Sequence, residues 1–190
     1  MSFIRSIAYA EASGRLQTIY QRVAENGRLD NVITVHGLRP HTLEGHLALY
    51  RAALHHSANR LPMVYREAIG VLVSRLNGCG YCVAHHSVGV CRHAKDAAHG
   101  EALLAALAED PVGAAFDARA RAGLAYARLL TQSPAAVERA TIEALIAAGF
   151  DDGEILEINQ IVGYFCYANR VVLGLGVELE TEGLGIVHDG

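Results

Sequence analysis

The chain has 190 residues, of which 52% are hydrophobic, with 16 basic and 20 acidic side chains and a formal net charge of −4. This length and hydrophobic content suffice for one well-buried domain and argue against intrinsic disorder. Basic residues are scattered, Trp is absent and aromatic residues make up only 6%, which argues against a nucleic-acid-binding surface. We expect a single domain over residues 1–190, because no repeat, low-complexity block or linker interrupts the sequence.

Apolar residues recur at helical spacing through most of the chain, which predicts an all-α fold. The helix predicted over residues 63–76 is nearly all apolar, so we expect it to be central. Residues 29–38 are predicted to be a connector, and the Gly-rich acidic tail from residue 174 is predicted to be irregular. The predicted helices cover residues 8–26, 42–56, 63–76, 79–94, 101–108, 114–131, 133–148 and 151–173.

The first residues do not resemble a signal peptide, and no apolar run reaches the roughly 18 residues that a membrane span requires. We therefore expect a soluble, cytoplasmic protein without a membrane or nucleic-acid partner. In a reducing compartment, four cysteines are not expected to form a disulfide framework. A CxxC sequence there indicates a redox pair or a metal site instead.

Cys79 and Cys82 open a predicted helix that also carries His86, and Glu67 lies on the preceding helix. At about 100° per residue, the two cysteines and His86 share one helical face. Free N–H groups at a helix N-terminus favour the thiolate form of a cysteine. If the two helices pack antiparallel, Glu67 and His86 lie at the same height, and an unpaired carboxylate there would have a raised pKa. We predict that these four residues are catalytic, with Glu67 and His86 passing protons to and from a cysteine.

Other interpretations of these residues stay open at this level. Cys79, Cys82 and His86 could hold zinc with one further ligand, although the sequence has no second CxxC, and the cysteine pair could also be coincidental. His85 points away from Cys79 and is predicted to be exposed or at an interface. Tyr81 is predicted to shield the cysteines.

Several other residues of these types have simpler predicted roles. Cys91 and Cys166 have no partner nearby in the sequence and are predicted to be small core residues. His46 either lines a pocket or is a structural histidine. A structural salt bridge with an arginine is as good an interpretation of Glu67 alone as a catalytic role.

The spacing E-x11-C-x2-C-x3-H from Glu67 to His86 resembles the alkylhydroperoxidase AhpD family, within the carboxymuconolactone decarboxylase superfamily. Residues 35–40 and 46–51 are similar to the peroxidase-related branch of that family. The strong motif covers about 20 residues, and the wider match covers residues 30–100. This spacing is far more specific than a bare CxxC.

The resemblance implies an AhpD-like helical bundle with the CxxC at the N-terminus of a central helix, assembled as a homo-oligomer such as a trimer or hexamer. It implies a thiol peroxidase for hydrogen peroxide or organic hydroperoxides that needs no haem, flavin or metal. An external dithiol, such as a lipoylated or thioredoxin-like protein, would reset it. Cys82 would attack the peroxide, Cys79 would be the more exposed resolving thiol, and Glu67 and His86 would form the proton relay. Family members often carry His where this chain has Tyr81, so any role of that His does not carry over.

Two other functions compete with this one. In the decarboxylase or lactone-isomerising branch of the superfamily, Glu67 and His86 would act as acid and base and the cysteines would be incidental. Arg39 is then the candidate clamp for a substrate carboxylate. The remaining possibility is a non-enzymatic module that senses redox state or is stabilised by zinc.

Overall fold

The structure consists of helices. In this computed structural model, residues 2–181 and 184 are described, and within them the chain forms nine α-helices and no β-strand, which confirms the predicted all-α fold. No helix in these ranges is both long and apolar enough to cross a lipid bilayer. The α-helices are α1 Gly14–Val23, α2 Asn31–Val35, α3 Pro40–Tyr50, α4 Met63–Leu76, α5 Gly80–His93, α6 Ala97–Ala106, α7 Ala118–Gln132, α8 Arg139–Ala147 and α9 Asp152–Leu175.

Three predicted helices match the structure closely. The helix over 63–76 has the predicted bounds, and α5 begins one residue after Cys79, which occupies the N-cap position. The last helix begins as predicted at a capping box, in which Asp151 accepts a hydrogen bond from the Glu154 N–H at 2.9 Å. It continues to Leu175 and ends at Gly176, whose φ of 59° is left-handed.

The predicted bounds are wrong near the N-terminus. The helix expected over 8–26 is split into a 3-10 turn, Tyr9–Glu11, and α1, because residues 12 and 13 are extended and Gly14 has a φ of 55°. The connector expected over 29–38 contains α2, whose Ile33 and Val35 side chains are buried. Helix α3 starts at Pro40 and passes into a π-helical turn, Arg51–His55.

In the second half, aspartate caps move the helix starts from their predicted positions. Asp96 accepts from the His99 N–H at 2.8 Å, so α6 begins earlier than predicted, and Asp117 accepts from the Ala120 N–H at 2.7 Å, so α7 begins later. The helix expected from residue 133 is only a 3-10 turn, Pro134–Ala136, before α8 starts. Residues 177–181 are irregular as predicted, while 182–183 and 185–190 lie outside the described residues.

Helix α4 forms the centre of the bundle. Every residue from Tyr65 to Ser74 is buried, and the helix packs against α5, α7 and α9. Helix α9 comes close to it at Gly70, where an added Cβ would lie 2.3 Å from Cζ of Phe165. Because no face of α4 is open to solvent, the polar side chains of its middle turns must find their partners inside the protein.

The close contact at Gly70 predicts the effect of a single methyl group. Gly70→Ala forces the Phe165 ring to move and should destabilise the fold by about 1–3 kcal/mol. Gly163→Ala is the matched control: Gly163 is exposed on α9 with open space around a new Cβ, so it should stabilise the fold by up to about 1 kcal/mol. Urea unfolding followed by circular dichroism measures both, and equal effects of the two variants would contradict the packing described.

Candidate active site

The two cysteines of the CxxC sequence lie at the start of α5, directly after the turn that ends α4. Gly78 has a φ of 71° in this turn, which a glycine adopts without strain. Both sulfurs are free thiols; Cys79 is fully buried and Cys82 is 6% exposed. The Cys82 thiol donates a hydrogen bond to the Cys79 sulfur. The two sulfurs are therefore adjacent, as a dithiol that can close to a disulfide requires.

A buried polar network from the neighbouring helices surrounds this pair. Asn169 of α9 is fully buried, and its side chain contacts both cysteine sulfurs. It also donates to the Ser74 hydroxyl at 3.1 Å and accepts from the Asn77 amide at 2.9 Å. Asn169 was not predicted as a site residue. A signal existed in the sequence, since Asn169 is a polar residue one turn after Phe165 on the apolar face of the last predicted helix.

The two thiols have different acidities. The hydrogen bond from Cys82 lowers the pKa of Cys79, burial raises it, and the N–H groups of Cys82 and Tyr81 lower it further, to about 7. The hydrogen bond that Cys82 donates to Cys79 raises the pKa of Cys82, and burial raises it as well. The first proton to leave the pair therefore leaves the charge mainly on Cys79.

The expectation that Cys79 is the more exposed thiol is wrong. Its side chain is fully buried in a small cluster with Val35, Val172 and Val177, which cover it from α2, α9 and the C-terminal residues. These covering residues lie far from the CxxC in sequence, so no local pattern indicates them.

Glu67 and His86 form the contact that the helix geometry predicts. Antiparallel packing of α4 and α5 places Oε2 of Glu67 2.6 Å from Nδ1 of His86. Gly89, one turn after His86 on α5, makes room for the carboxylate, since an added Cβ there would lie 2.5 Å from Cδ of Glu67. The edge of Phe165 packs on the His86 ring at a centroid distance of 4.6 Å. The imidazole is thus held in one orientation.

The carboxylate of Glu67 is charged at neutral pH although it is only 4% exposed. Burial raises the pKa of Glu67, but the charge and hydrogen bond of His86, together with smaller contributions from His55 and His93, outweigh burial, so the pKa lies below its ordinary value. The sequence predicted a raised pKa only for an unpaired Glu67 carboxylate. Because Glu67 is paired with His86, that condition is not met. A charged carboxylate on Nδ1 leaves Nε2 of His86 to exchange protons with other groups.

A cavity of about 60 Å³ brings these groups together. Cys82, Glu67 and His86 all line it, whereas Cys79 lies behind Cys82 and does not. Three of the four predicted catalytic residues therefore face one space, and the fourth contacts it through Cys82. Apolar and aromatic side chains form much of the wall: Ile33, Leu47, Tyr50, Tyr164, Phe165 and Val172.

The opposite wall of the cavity carries a second histidine–carboxylate contact. His85 is 8% exposed, so the prediction that it is exposed or at an interface is wrong within this chain. Its Nε2 lies 2.7 Å from Oε2 of Glu180, and its Nδ1 lies 3.7 Å from Oδ2 of Asp30. The Tyr81 ring stacks on His85 at 4.4 Å, and its hydroxyl donates to Glu180 at 2.7 Å.

Glu180 was missed because it lies 95 residues after His85, in a tail predicted to be irregular. Burial raises the pKa of Glu180, but hydrogen bonds from His85, the Asn31 N–H and the Tyr81 hydroxyl outweigh it and bring the pKa to about 2. Glu180 is therefore an anion throughout the neutral range. No local sequence signal distinguishes it from the other acidic residues of the tail.

Residues 2–181 and 184 contain no complete set of zinc ligands around the CxxC sequence. The side chains there whose ligand atoms lie close enough to share a metal ion are Asp30, His85 and Glu180, and this group contains neither cysteine. The two cysteine thiols instead form hydrogen bonds with each other and with polar side chains of α4 and α9.

The other residues singled out in the sequence lie both inside and outside the cavity. His46 is buried and lines the cavity, as one of its two interpretations predicted. Arg39 is exposed and donates to the Leu38 carbonyl at 2.8 Å, so it is not a clamp in this cavity; Arg92 of α5 lines the cavity instead. Cys91 is exposed, so its prediction as a core residue is wrong, and Cys166 is half-buried against the core.

Solved structures resemble this chain over most of its length. An uncharacterized peroxidase-related protein from Silicibacter sp. TM1040 is 29% identical, with a TM-score of 0.75 over 87% of this chain and 84% of its own. A peroxidase-related protein from Ralstonia eutropha JMP134, described as an alkylhydroperoxidase AhpD core, is 25% identical, with a TM-score of 0.81 over 95% and 93%. This chain has the AhpD-like fold. No protein-family model and no curated protein matches it.

The AhpD-like fold is not limited to peroxidase-related proteins. The debrominase Bmp8, in a cysteine-to-alanine variant bound to 2,3,4-tribromopyrrole, is 21% identical and has a TM-score of 0.73 over 93% of this chain and 90% of its own. At this identity the likeness concerns the fold alone. Proteins with this fold therefore include enzymes of more than one activity.

The Glu67–His86 contact predicts how stability depends on pH. Because folding lowers the pKa of Glu67 below 4.5, the contact stabilises the fold fully above that pH and loses its contribution as the pH falls through the folded-state pKa. The difference in unfolding free energy between wild type and Glu67→Gln should therefore shrink from about pH 6 to about pH 3. Urea unfolding across this range measures it, and a constant difference would contradict a charged Glu67.

Proposed function

We propose that this protein is a thiol-dependent peroxidase that reduces hydrogen peroxide or small organic hydroperoxides through a dithiol–disulfide cycle of Cys79 and Cys82. One observation carries the proposal: the Cys82 thiol and the Glu67–His86 pair line the same cavity. Cys79 lies behind Cys82 and accepts a hydrogen bond from its thiol. A nucleophile, a proton carrier and a resolving thiol are thereby within one site.

In the first half of the proposed reaction, Cys82 attacks the terminal oxygen of the peroxide, because it is the cysteine that lines the cavity. A proton shift from Cys82 to Cys79 along their hydrogen bond puts the thiolate on Cys82. The sulfur–oxygen bond forms and the oxygen–oxygen bond breaks, which leaves a sulfenic acid on Cys82. The departing alkoxide takes a proton from His86, whose charge Glu67 stabilises.

In the second half, the Cys79 sulfur attacks the Cys82 sulfenic acid. A sulfur–sulfur bond forms, and the hydroxide leaves as water with the proton that the Cys79 thiol gives up. Two thiols and one hydroperoxide have then become one disulfide, one alcohol and one water. An external dithiol, such as a lipoylated or thioredoxin-like partner protein, returns the disulfide to the thiols by exchange. No haem, flavin or metal enters this cycle, and we propose that the protein works as a homo-oligomer such as a trimer or hexamer.

The cavity supports a small substrate. Its volume of about 60 Å³ compares with the roughly 10–15 Å³ that one water molecule requires by the same measure. Hydrogen peroxide or a hydroperoxide with a short organic group matches this space. The aromatic wall formed by Tyr50, Tyr164 and Phe165 favours an apolar organic group over a charged one.

A second candidate function is acid–base catalysis on a cyclic carboxylic acid, as in the decarboxylase branch of the superfamily. The observation that favours it is Arg92, which lines the same cavity as Glu67 and His86 and could bind a substrate carboxylate. The cysteines would then have no part in the chemistry.

Cysteine variants test the peroxidase. Cys82→Ser should abolish dithiol-dependent peroxide consumption, because a hydroxyl does not replace the thiolate nucleophile. Cys79→Ser should consume one equivalent of peroxide and then stop with a sulfenic acid on Cys82, which dimedone traps and mass spectrometry locates. Cys91→Ser is the matched control, since Cys91 is exposed and outside the cavity, and should keep wild-type turnover. Full turnover by Cys82→Ser would exclude the mechanism.

The relay residues give a separate prediction. Glu67→Gln and His86→Ala should each lower the rate of peroxide reduction by about 10²–10⁴-fold, the usual contribution of positioned acid–base groups. Stopped-flow measurement of the first turnover isolates this step from the reductant. If the double variant Cys79→Ser/Cys82→Ser instead retains activity on a cyclic carboxylic acid that Arg92→Leu lacks, the acid–base function is the correct one.

A further inference from the structure

The carboxylate of Glu180 holds three elements together beside the dithiol. It accepts hydrogen bonds from the Tyr81 hydroxyl at 2.7 Å, from Nε2 of His85 at 2.7 Å and from the Asn31 N–H at 2.5 Å. Its side chain is only 11% exposed. The Asn31 amide also donates to the backbone carbonyl of Glu178 at 3.0 Å. One acidic side chain therefore joins α2, α5 and the end of the described chain.

Glu180 belongs to residues 176–181, which we call the C-terminal strap. The strap leaves α9 at Gly176 and is anchored by the Val177 N–H, which donates to the Val172 carbonyl at 3.0 Å. Val177 is buried in the same cluster as Cys79, Tyr81 and Cys82. The strap thus lies over the first turn of α5, where the cysteines are.

The shape of the first turn of α5 determines where the free backbone N–H groups lie relative to the Cys79 sulfur. Cys79 is the N-cap residue of α5, so the free N–H groups of Tyr81 and Cys82 lie beside its side chain and lower the pKa of its thiol, although neither forms a capping hydrogen bond to it. Their direction depends on the turn keeping its shape. The Tyr81 side chain lies between the cysteines in sequence and anchors this turn, since its hydroxyl donates to Glu180 and accepts from the Val32 N–H at 3.3 Å.

We propose that Glu180 is a positioning residue for the dithiol: through the Tyr81 hydroxyl it fixes the first turn of α5, so that the free N–H groups of that turn stay beside the Cys79 sulfur. Glu180 does not itself line the cavity; it is linked to the first turn of α5 through the Tyr81 hydroxyl, and it also hydrogen-bonds to His85. The positioning role itself does not depend on the proposed peroxidase function. Only its consequence does, which is that the resolving thiol, Cys79, is kept reactive.

Glu180 acts on the pKa of Cys79 in two opposite directions, one through its charge and one through its anchoring of the first turn of α5. A nearby anion disfavours a thiolate, so removing the charge alone would lower the pKa of Cys79. Removing the anchor takes N–H donors away from the thiolate and would raise that pKa towards its ordinary value of 9.0. Around Glu180, the other titratable groups are His85 and Tyr81 from α5 and Asp30, which lies across the His85 ring. The direction of the shift therefore distinguishes positioning from simple charge.

The test is a pH titration of the reduced protein by the ultraviolet absorbance of its thiolates, with Cys79→Ser identifying the component that belongs to Cys79. In wild type this component should titrate with a midpoint of about 7. Tyr81→Phe should raise the midpoint by about one pH unit, which is about tenfold less thiolate below the midpoint, and Glu180→Ala should raise it by less, because loss of the charge acts in the opposite direction. Glu180→Gln should not raise it, because the amide oxygen still accepts from Tyr81 while the charge is gone.

Glu178→Ala is the matched control, because it removes a carboxylate from the same strap at an exposed position and should leave the midpoint unchanged. If Glu180→Ala does not fold, Tyr81→Phe removes a single hydroxyl and still tests the anchor. An unchanged or lowered midpoint in Tyr81→Phe, or a midpoint in folded Glu180→Ala no higher than that of Glu180→Gln, overturns the proposal. The titration involves no peroxide, so the result stands apart from whether the protein proves to be a peroxidase.

Discussion

The antiparallel packing of α5 against α4 is the interaction on which the site depends. It places the carboxylate of Glu67 in contact with His86 inside the core, where a buried charge requires a partner. Gly89 permits the contact by leaving space where any other residue would carry a Cβ. The same packing delivers the first turn of α5, with both cysteines, to the end of α4. The geometry of the candidate site and the packing of the core are therefore one feature of this helix pair.

The dithiol is embedded in polar groups on its inner side and faces the cavity on the other. Asn169 and Ser74 contact it from α9 and α4, and Cys82 alone presents its sulfur to the cavity. The difference in acidity between the thiols follows from this asymmetry, because one sulfur receives helix N–H donors and the other gives its proton to the first. Exposure and acidity thus belong to different members of the pair, as the proposed two-step cycle requires.

How much of this the sequence predicts depends on the range of the contacts. Glu67, Cys82 and His86 were found because one tight turn separates their helices, so helical spacing alone fixes their relative heights. Asn169 and Glu180 were missed because only the tertiary fold brings them to the cysteines, and an asparagine or glutamate has no preferred spacing to a distant CxxC. The burial of Cys79 and His85 was missed for the same reason: residues far along the chain cover them.

The contact between Asn31 and Glu180 spans 149 residues. A ribosome makes the chain from its N-terminus, so α4, the turn and α5 can form their local contacts while more than 80 residues are still to be added. The strap is synthesised after α9, since it continues directly from the end of that helix. During biosynthesis there is consequently a period in which the two thiols exist without their cover, exposed to whatever oxidants and metals surround the nascent chain.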